Sequence, residues 1–115
     1  MKQGEIWFVR YDPSVGHEYK KTRPAIIISS HYALTNSPLV TVMAITSKVD
    51  GVATDDIEIV KDQANRLWSD SVIKTSHISS FDSSRFIKRI GLAHPKILDQ
   101  IKKYLFTYFG IRDNQ

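Results

Sequence analysis

The strongest constraint on this chain lies near its C-terminal end. Ile97, Leu98, Ile101, Tyr104, Leu105, Tyr108 and Phe109 recur at i, i+1, i+4, i+7, i+8, i+11 and i+12. This is one apolar stripe at the 3.6-residue period of an α-helix. Pro95 suits the first helical position and Gly110 the stop. A helix with one apolar face must lay it on another layer. The chain before it follows a different pattern, with short aromatic and β-branched runs separated by polar segments.

Glu5 to Tyr11 (EIWFVRY) is apolar on both faces, as expected of a strand buried on both sides or meeting another subunit. Asp12-Pro13 ends it, and residues 13 to 22 read as a polar loop. Arg23 to Ser29 (RPAIIIS) is a second strand with Pro24 at its start or on an edge. His31 to Ser37 reads as a connection and Leu39 to Thr46 as a third strand. Lys48 to Asp56 is a polar loop with Asp50-Gly51 as a turn signal. Asp56 to Val60 alternates as a short strand, and residues 62 to 68 suit one helical turn. Another strand begins at Ser71, and Ile78 to Phe81 and Arg85 to Ile90 are expected to pair around Asp82-Ser83-Ser84. The expected fold is mainly β: a small antiparallel barrel covered by a C-terminal helix, in a single domain over residues 1–115.

Composition narrows the function classes. The 115 residues contain no cysteine, which excludes disulfide scaffolds, zinc ribbons and thiol nucleophiles. No apolar run approaches the roughly 20 residues that span a bilayer. Trp7, Phe8 and Val9 are followed at once by Arg10 and Asp12, unlike a secretory signal, so a cytoplasmic protein is expected. Sixteen Lys and Arg against twelve Asp and Glu leave a charge of +4, a modest lean toward an anionic partner. His17, His31, His77 and His94 are widely spaced, so no metal site is expected. Asp55-Asp56 reads as solvated loop charge.

The loop before the second strand carries the most chemistry. Gly16-His17-Glu18 precedes Arg23, placing a proton acceptor, a proton donor and a fixed cation near one another. Such a set suits RNA cleavage without a metal. The 2′-hydroxyl needs a base, the phosphorus centre needs its charge stabilised, and the leaving oxygen needs an acid. The planar fork of arginine fits a phosphate. The residues alone leave a second reading open, in which Arg23 is a strand-end charge paired with Glu18 and His17 is solvated. Thr46 ends the third strand before Ser47 and Lys48, and its hydroxyl suits either a phosphate oxygen or ordinary strand preference. Trp7, Phe8 and Tyr11 suit either base stacking or a core. Lys74, Arg85, Lys88 and Arg89 form a basic set that also fits a solvated sheet face.

The order of these segments resembles one family. Gly4-Glu5-Ile6-Trp7, Asp12-Pro13, Gly16-His17-Glu18 and Arg23-Pro24-Ala25 are similar to the opening of the MazF/PemK toxins, the endoribonucleases of bacterial toxin–antitoxin pairs. The resemblance continues through Ala44-Ile45-Thr46-Ser47, Asp70-Ser71-Val72-Ile73, Ile78-Ser79, Asp82 with Arg85, and the closing helix. It implies an SH3-like barrel of the CcdB/MazF type, a homodimer, and metal-independent cleavage of single-stranded RNA without a cofactor. The implied products carry a 2′,3′-cyclic phosphate and a 5′-hydroxyl. By resemblance, Arg23 serves acid catalysis or phosphorane stabilisation, Thr46 orients the scissile phosphate, and Glu18 matches a position suggested as the base in some members. RNA contacts are assigned to His17, Ser47, Lys48, Lys74, Ser76 and Arg85. Lys74 and Ser76 stand where the PemK-like branch has an Arg and an Asp, so that acid–base pair is not carried over. The resemblance also implies an acidic antitoxin, disordered in part when free, that competes with RNA for a basic groove. Two alternatives remain: a gyrase poison of the same fold, suggested by Phe109-Gly110-Ile111, and a nucleic-acid-binding module without catalysis.

Overall fold

A computed structural model describes residues 1–11, 21–47 and 51–111. The elements are β1 (Glu5–Arg10), β2 (Thr22–Ile27), α1 (His31–Asn36), β3 (Leu39–Ser47), β4 (Ile57–Ile59), β5 (Ser71–Asp82), β6 (Phe86–Leu92) and α2 (Pro95–Phe109). The six strands form one sheet in the order β4-β5-β3-β2-β1-β6, and every neighbouring pair is antiparallel. The mainly β fold with a C-terminal helix is as expected.

The doubly apolar strands have a simple cause: the sheet carries a core on each face. Ile6, Ile26, Met43, Ile45, Ile73 and Ile101 belong to one cluster, against which Ile97, Leu98, Tyr104 and Leu105 of α2 pack. Residues of the other parity (Val9, Ala25, Ile27, Val42 and Ala44) form the second with Tyr11, Val40 and Phe86, packed by Leu34 of α1 and by Phe81. Successive strand side chains point to opposite faces, so a strand between two cores is apolar throughout.

Helix α2 runs as its pattern predicts. His94 caps its N-terminus, accepting from Lys96 N at 3.1 Å, and Pro95 follows. Gly110 ends it at φ 67°, the left-handed conformation that glycine adopts most cheaply.

Several expectations are corrected. Residues 31–36 are a helix rather than a plain connection, started by Ser30 Oγ accepting from Ala33 N at 3.1 Å. Its single turn-and-a-half buries no residue fully, so no periodicity announced it. The hairpin around Asp82 does not form: β6 crosses the sheet to pair with β1, while β5 pairs with β3 and β4. A short 3₁₀ turn (Ser83–Arg85) capped by Asp82 makes that crossing. Asp56 is not a solvated charge; its side chain is 4% exposed and Oδ2 lies 2.8 Å from Lys74 Nζ.

Irregularities bend the sheet. Ala44 faces Lys74 while Met43 faces Ile78, so Thr75, Ser76 and His77 bulge from β5. Register shifts also interrupt β1 against β6. The edge strand β6 is met by the turn that follows β4. In place of the helical turn expected over residues 62–68 there is a shorter turn at 62–66, closed by Arg66 N to Asp62 O at 3.0 Å, which lies across β6 with Leu92 N donating to Ala64 O at 2.9 Å. Gly91 permits this approach, since a Cβ there would stand 2.4 Å from Asn65 O and 2.5 Å from Ala64 O.

Candidate nucleic-acid cleft

Arg23 and Pro24 open β2, Thr46 and Ser47 close β3, and Ser71 opens β5, so these positions meet at one end of the sheet. Residue pairs between β2 and β3 run Ala25↔Ala44, Ile26↔Met43 and Ile27↔Val42. Continuing that antiparallel register sets Arg23 across from Thr46. A cleft of about 290 Å³ lies here. It is floored by Phe8, Pro24, Ile45, Leu67 and Ile90, and Arg23, Thr46, Ser47, Arg66, Trp68 and Ser69 supply most of its polar and aromatic border.

Charge and burial give the cleft its character. Among the described residues its two charged lining side chains, Arg23 and Arg66, are both cations. Thr46 is only 4% exposed, and its Oγ1 is buried without a hydrogen-bond partner among the described residues. A buried hydroxyl left in that state costs about 1–3 kcal/mol, so Thr46 keeps unspent hydrogen-bonding capacity in a residue that lines the cleft.

Arg66 and Trp68 sit on a tightly held segment. Asp62 Oδ1 accepts from Ala64 N at 2.9 Å and Asn65 N at 2.7 Å. The buried Asn65 side chain accepts from Asp62 N and Leu67 N and donates to Val60 O. Beyond the turn, Lys61 N donates to Asp70 Oδ1 at 3.0 Å and Ser71 Oγ to Ser69 O at 2.9 Å. Arg66 has φ 57°, an uncommon conformation for a residue with a side chain.

The structure brings Arg23, Thr46 and Ser47 together but leaves three other expected contacts outside the cleft lining. Lys74 is engaged by Asp56 and by Gly51 O at 3.1 Å. Ser76 is exposed in the β5 bulge. Arg85 donates from Nη1 to Arg10 O at 3.2 Å. His17, Glu18 and Lys48 lie outside the described residues. Of the three aromatics suggested for stacking, only Phe8 lines the cleft. Trp7 donates to Glu5 Oε1 at 3.0 Å and packs edge-on against Phe86, and Tyr11 packs against Phe81. The sequence reading missed Arg66 and Trp68, although a cation two residues from a Trp ahead of a strand was a usable signal.

Among the described residues three carboxylates are held below their ordinary range: Asp82, by its hydrogen bonds with Ser84, and the more buried Glu5 and Asp56. Burial opposes this at Glu5, but hydrogen bonds from Trp7, Arg89 and Lys2 outweigh it. At Asp56 burial is likewise outweighed by Lys74 and by the Ala53 and Thr75 backbone. Both are structural anchors away from the cleft lining. Among the described residues, no group of three His, Asp or Glu could hold a metal ion. No helix there is long and apolar enough to cross a membrane.

The chain is 27% identical to the endoribonuclease MazF9 of Mycobacterium tuberculosis over 116 aligned residues, covering 96% of this chain and 98% of that protein. Its fold is similar to that of MazF from Deinococcus radiodurans, with a TM-score of 0.78 at 21% identity, covering 96% of this chain and 97% of that one. It is also similar to a mycobacterial endoribonuclease solved in complex with its cognate antitoxin, with a TM-score of 0.74 at 14% identity over 98% of both chains. The family model for PemK-like, MazF-like toxins of type II toxin–antitoxin systems matches residues 2–109, and the chain belongs to that family.

Proposed function

We propose that this protein is a sequence-specific, metal-independent endoribonuclease toxin that cuts single-stranded RNA in the cleft between β2, β3 and the segment 66–69. The observation that carries the reading is the pairing of a cation, Arg23, with the buried hydroxyl of Thr46, which has no partner among the described residues, in one cleft. That arrangement is suited to a phosphodiester, which a guanidinium and a hydroxyl donor can both hold.

In this mechanism the 2′-oxygen attacks the adjacent phosphorus while its proton passes to a base, for which Glu18 is the candidate. Thr46 donates to a non-bridging oxygen and fixes the phosphate. The guanidinium of Arg23 stabilises the charge that grows on the phosphorane. The bond from phosphorus to the 5′-oxygen then breaks, and that oxygen takes a proton. The products are a 2′,3′-cyclic phosphate and a 5′-hydroxyl. Ser47 joins the phosphate contacts, and the cations raise local RNA affinity.

The reading extends to partners. Several relatives are described as endoribonucleases, and one similar structure is a complex with an antitoxin. An acidic antitoxin would meet the same two cations and displace RNA. The protein is proposed to act as a homodimer in the cytoplasm, where mRNA is available.

The test is cleavage of a mixed-sequence single-stranded RNA in excess EDTA, with Arg23→Ala in parallel and product ends mapped. EDTA-resistant cuts at a short sequence with cyclic-phosphate ends, lost in Arg23→Ala, support the proposal. No cleavage by the folded wild-type protein overturns it, and a gyrase supercoiling assay then addresses the alternative. The Phe109-Gly110-Ile111 resemblance adds little to that alternative, because Gly110 is accounted for as the end of α2.

A further inference from the structure

Trp68 is 91% exposed, the most exposed of the large hydrophobic side chains among the described residues. A tryptophan offers roughly 150–250 Å² of surface for burial, so leaving one in water forgoes a large gain. Such exposure is unremarkable on a loose loop. Here the neighbouring backbone is held: Leu67 packs into the core, Ser69 O accepts from Ser71, and Asp70 accepts from Lys61 N. The side chain is therefore presented at the rim of the cleft that also contains Arg23 and Thr46.

Resting on the function proposed above, we infer that Trp68 is a specificity-determining stacking residue that receives an unpaired RNA base flanking the scissile phosphate, with Arg66 against the adjoining backbone phosphate. Three observations favour RNA over an acidic peptide or a second copy as the occupant. The indole borders the cleft of the proposed chemistry. Among the described residues the charged groups lining that cleft are the cations Arg23 and Arg66, which suit a phosphate backbone. The left-handed Arg66 sets a second cation two residues from the ring, matching the alternation of phosphate and base along a single strand. Because the turn is already ordered by Asn65 and Asp62, little ordering remains to oppose binding.

The experiment compares wild type, Trp68→Ala and Trp68→Phe on an RNA the wild type cuts, and on copies of it made abasic at single positions beside the cut. For Trp68→Ala on intact RNA, kcat/KM is expected to fall about tenfold through KM, with most of the loss recovered in Trp68→Phe. On the copy abasic at the stacked position, wild type and Trp68→Ala should become equal. A merely structural role would penalise every substrate alike, and that result overturns the inference, as does unchanged activity of Trp68→Ala. Conversion of a dimer to monomer by Trp68→Ala would assign the indole to a copy–copy interface and also overturn it. If Trp68→Ala matches a wild type that does cut RNA, only this inference fails. If the wild type cuts no RNA, the function proposed above fails and takes this inference with it.

Discussion

In the function proposed above, Thr46 serves binding at the expense of stability. A hydroxyl buried without a partner is a standing cost in the folded protein. Thr46→Val should therefore raise stability by about 1 kcal/mol, or about 4 °C in Tm. RNA cleavage should fall by about tenfold or more, the scale of losing one donor aimed at a reacting oxygen. Thermal denaturation and an RNA-cleavage assay of the same preparation check both halves; a marked loss of stability would show that the hydroxyl is already satisfied. Arg23 and Thr46 were legible in the sequence through a family resemblance, because each stands next to a motif of several residues. Arg66 and Trp68 were not, because what makes them notable is a left-handed backbone and an outward-held ring, neither of which leaves a periodic trace.

At the scale of elements, the most informative contact is the turn at 62–66 laid across β6. Gly91→Ala would drive a methyl group into two backbone carbonyls, which have no rotamer by which to yield. The expected cost is about 2–3 kcal/mol. Because the displaced turn carries Arg66, RNA affinity should fall as well. Urea denaturation and RNA binding measure the two effects, and a fully stable Gly91→Ala would mean that the turn can lift off. The C-terminal helix was legible to its caps, since a stripe, a Pro and a Gly agreed. The path of β6 was not. Local pattern shows that Phe86–Leu92 is a strand, but its partner is β1, at the far end of the sequence, and the tempting turn at Asp82 suggested the nearer one.

For the molecule as a whole, Glu5 with Arg89 and Asp56 with Lys74 tie distant segments together. Both carboxyls are held below their ordinary range, so the folded state binds fewer protons than the unfolded chain. Their contribution is fully present above the ordinary carboxylate range and is lost as pH falls through the depressed values, below about pH 4. Tm measured from pH 7 to pH 3 should be flat and then drop. Asp56→Asn should flatten part of that drop and cost about 2 kcal/mol at neutral pH by leaving the Lys74 ammonium without its counter-charge. An unchanged acid slope would remove Asp56 from the account. The link between Arg89 and Glu5, 84 residues apart, belongs to a wider pairing of β1 with β6 that has a consequence for the life of the chain. A growing polypeptide makes β1 first and must wait for β6 before its opening strand gains its second neighbour. Topologies of this kind fold in milliseconds to seconds rather than microseconds. Phe8 and Ile90 border the cleft from those two strands. A ribosome making this protein would therefore hold an incomplete cleft until nearly all of the described chain has emerged.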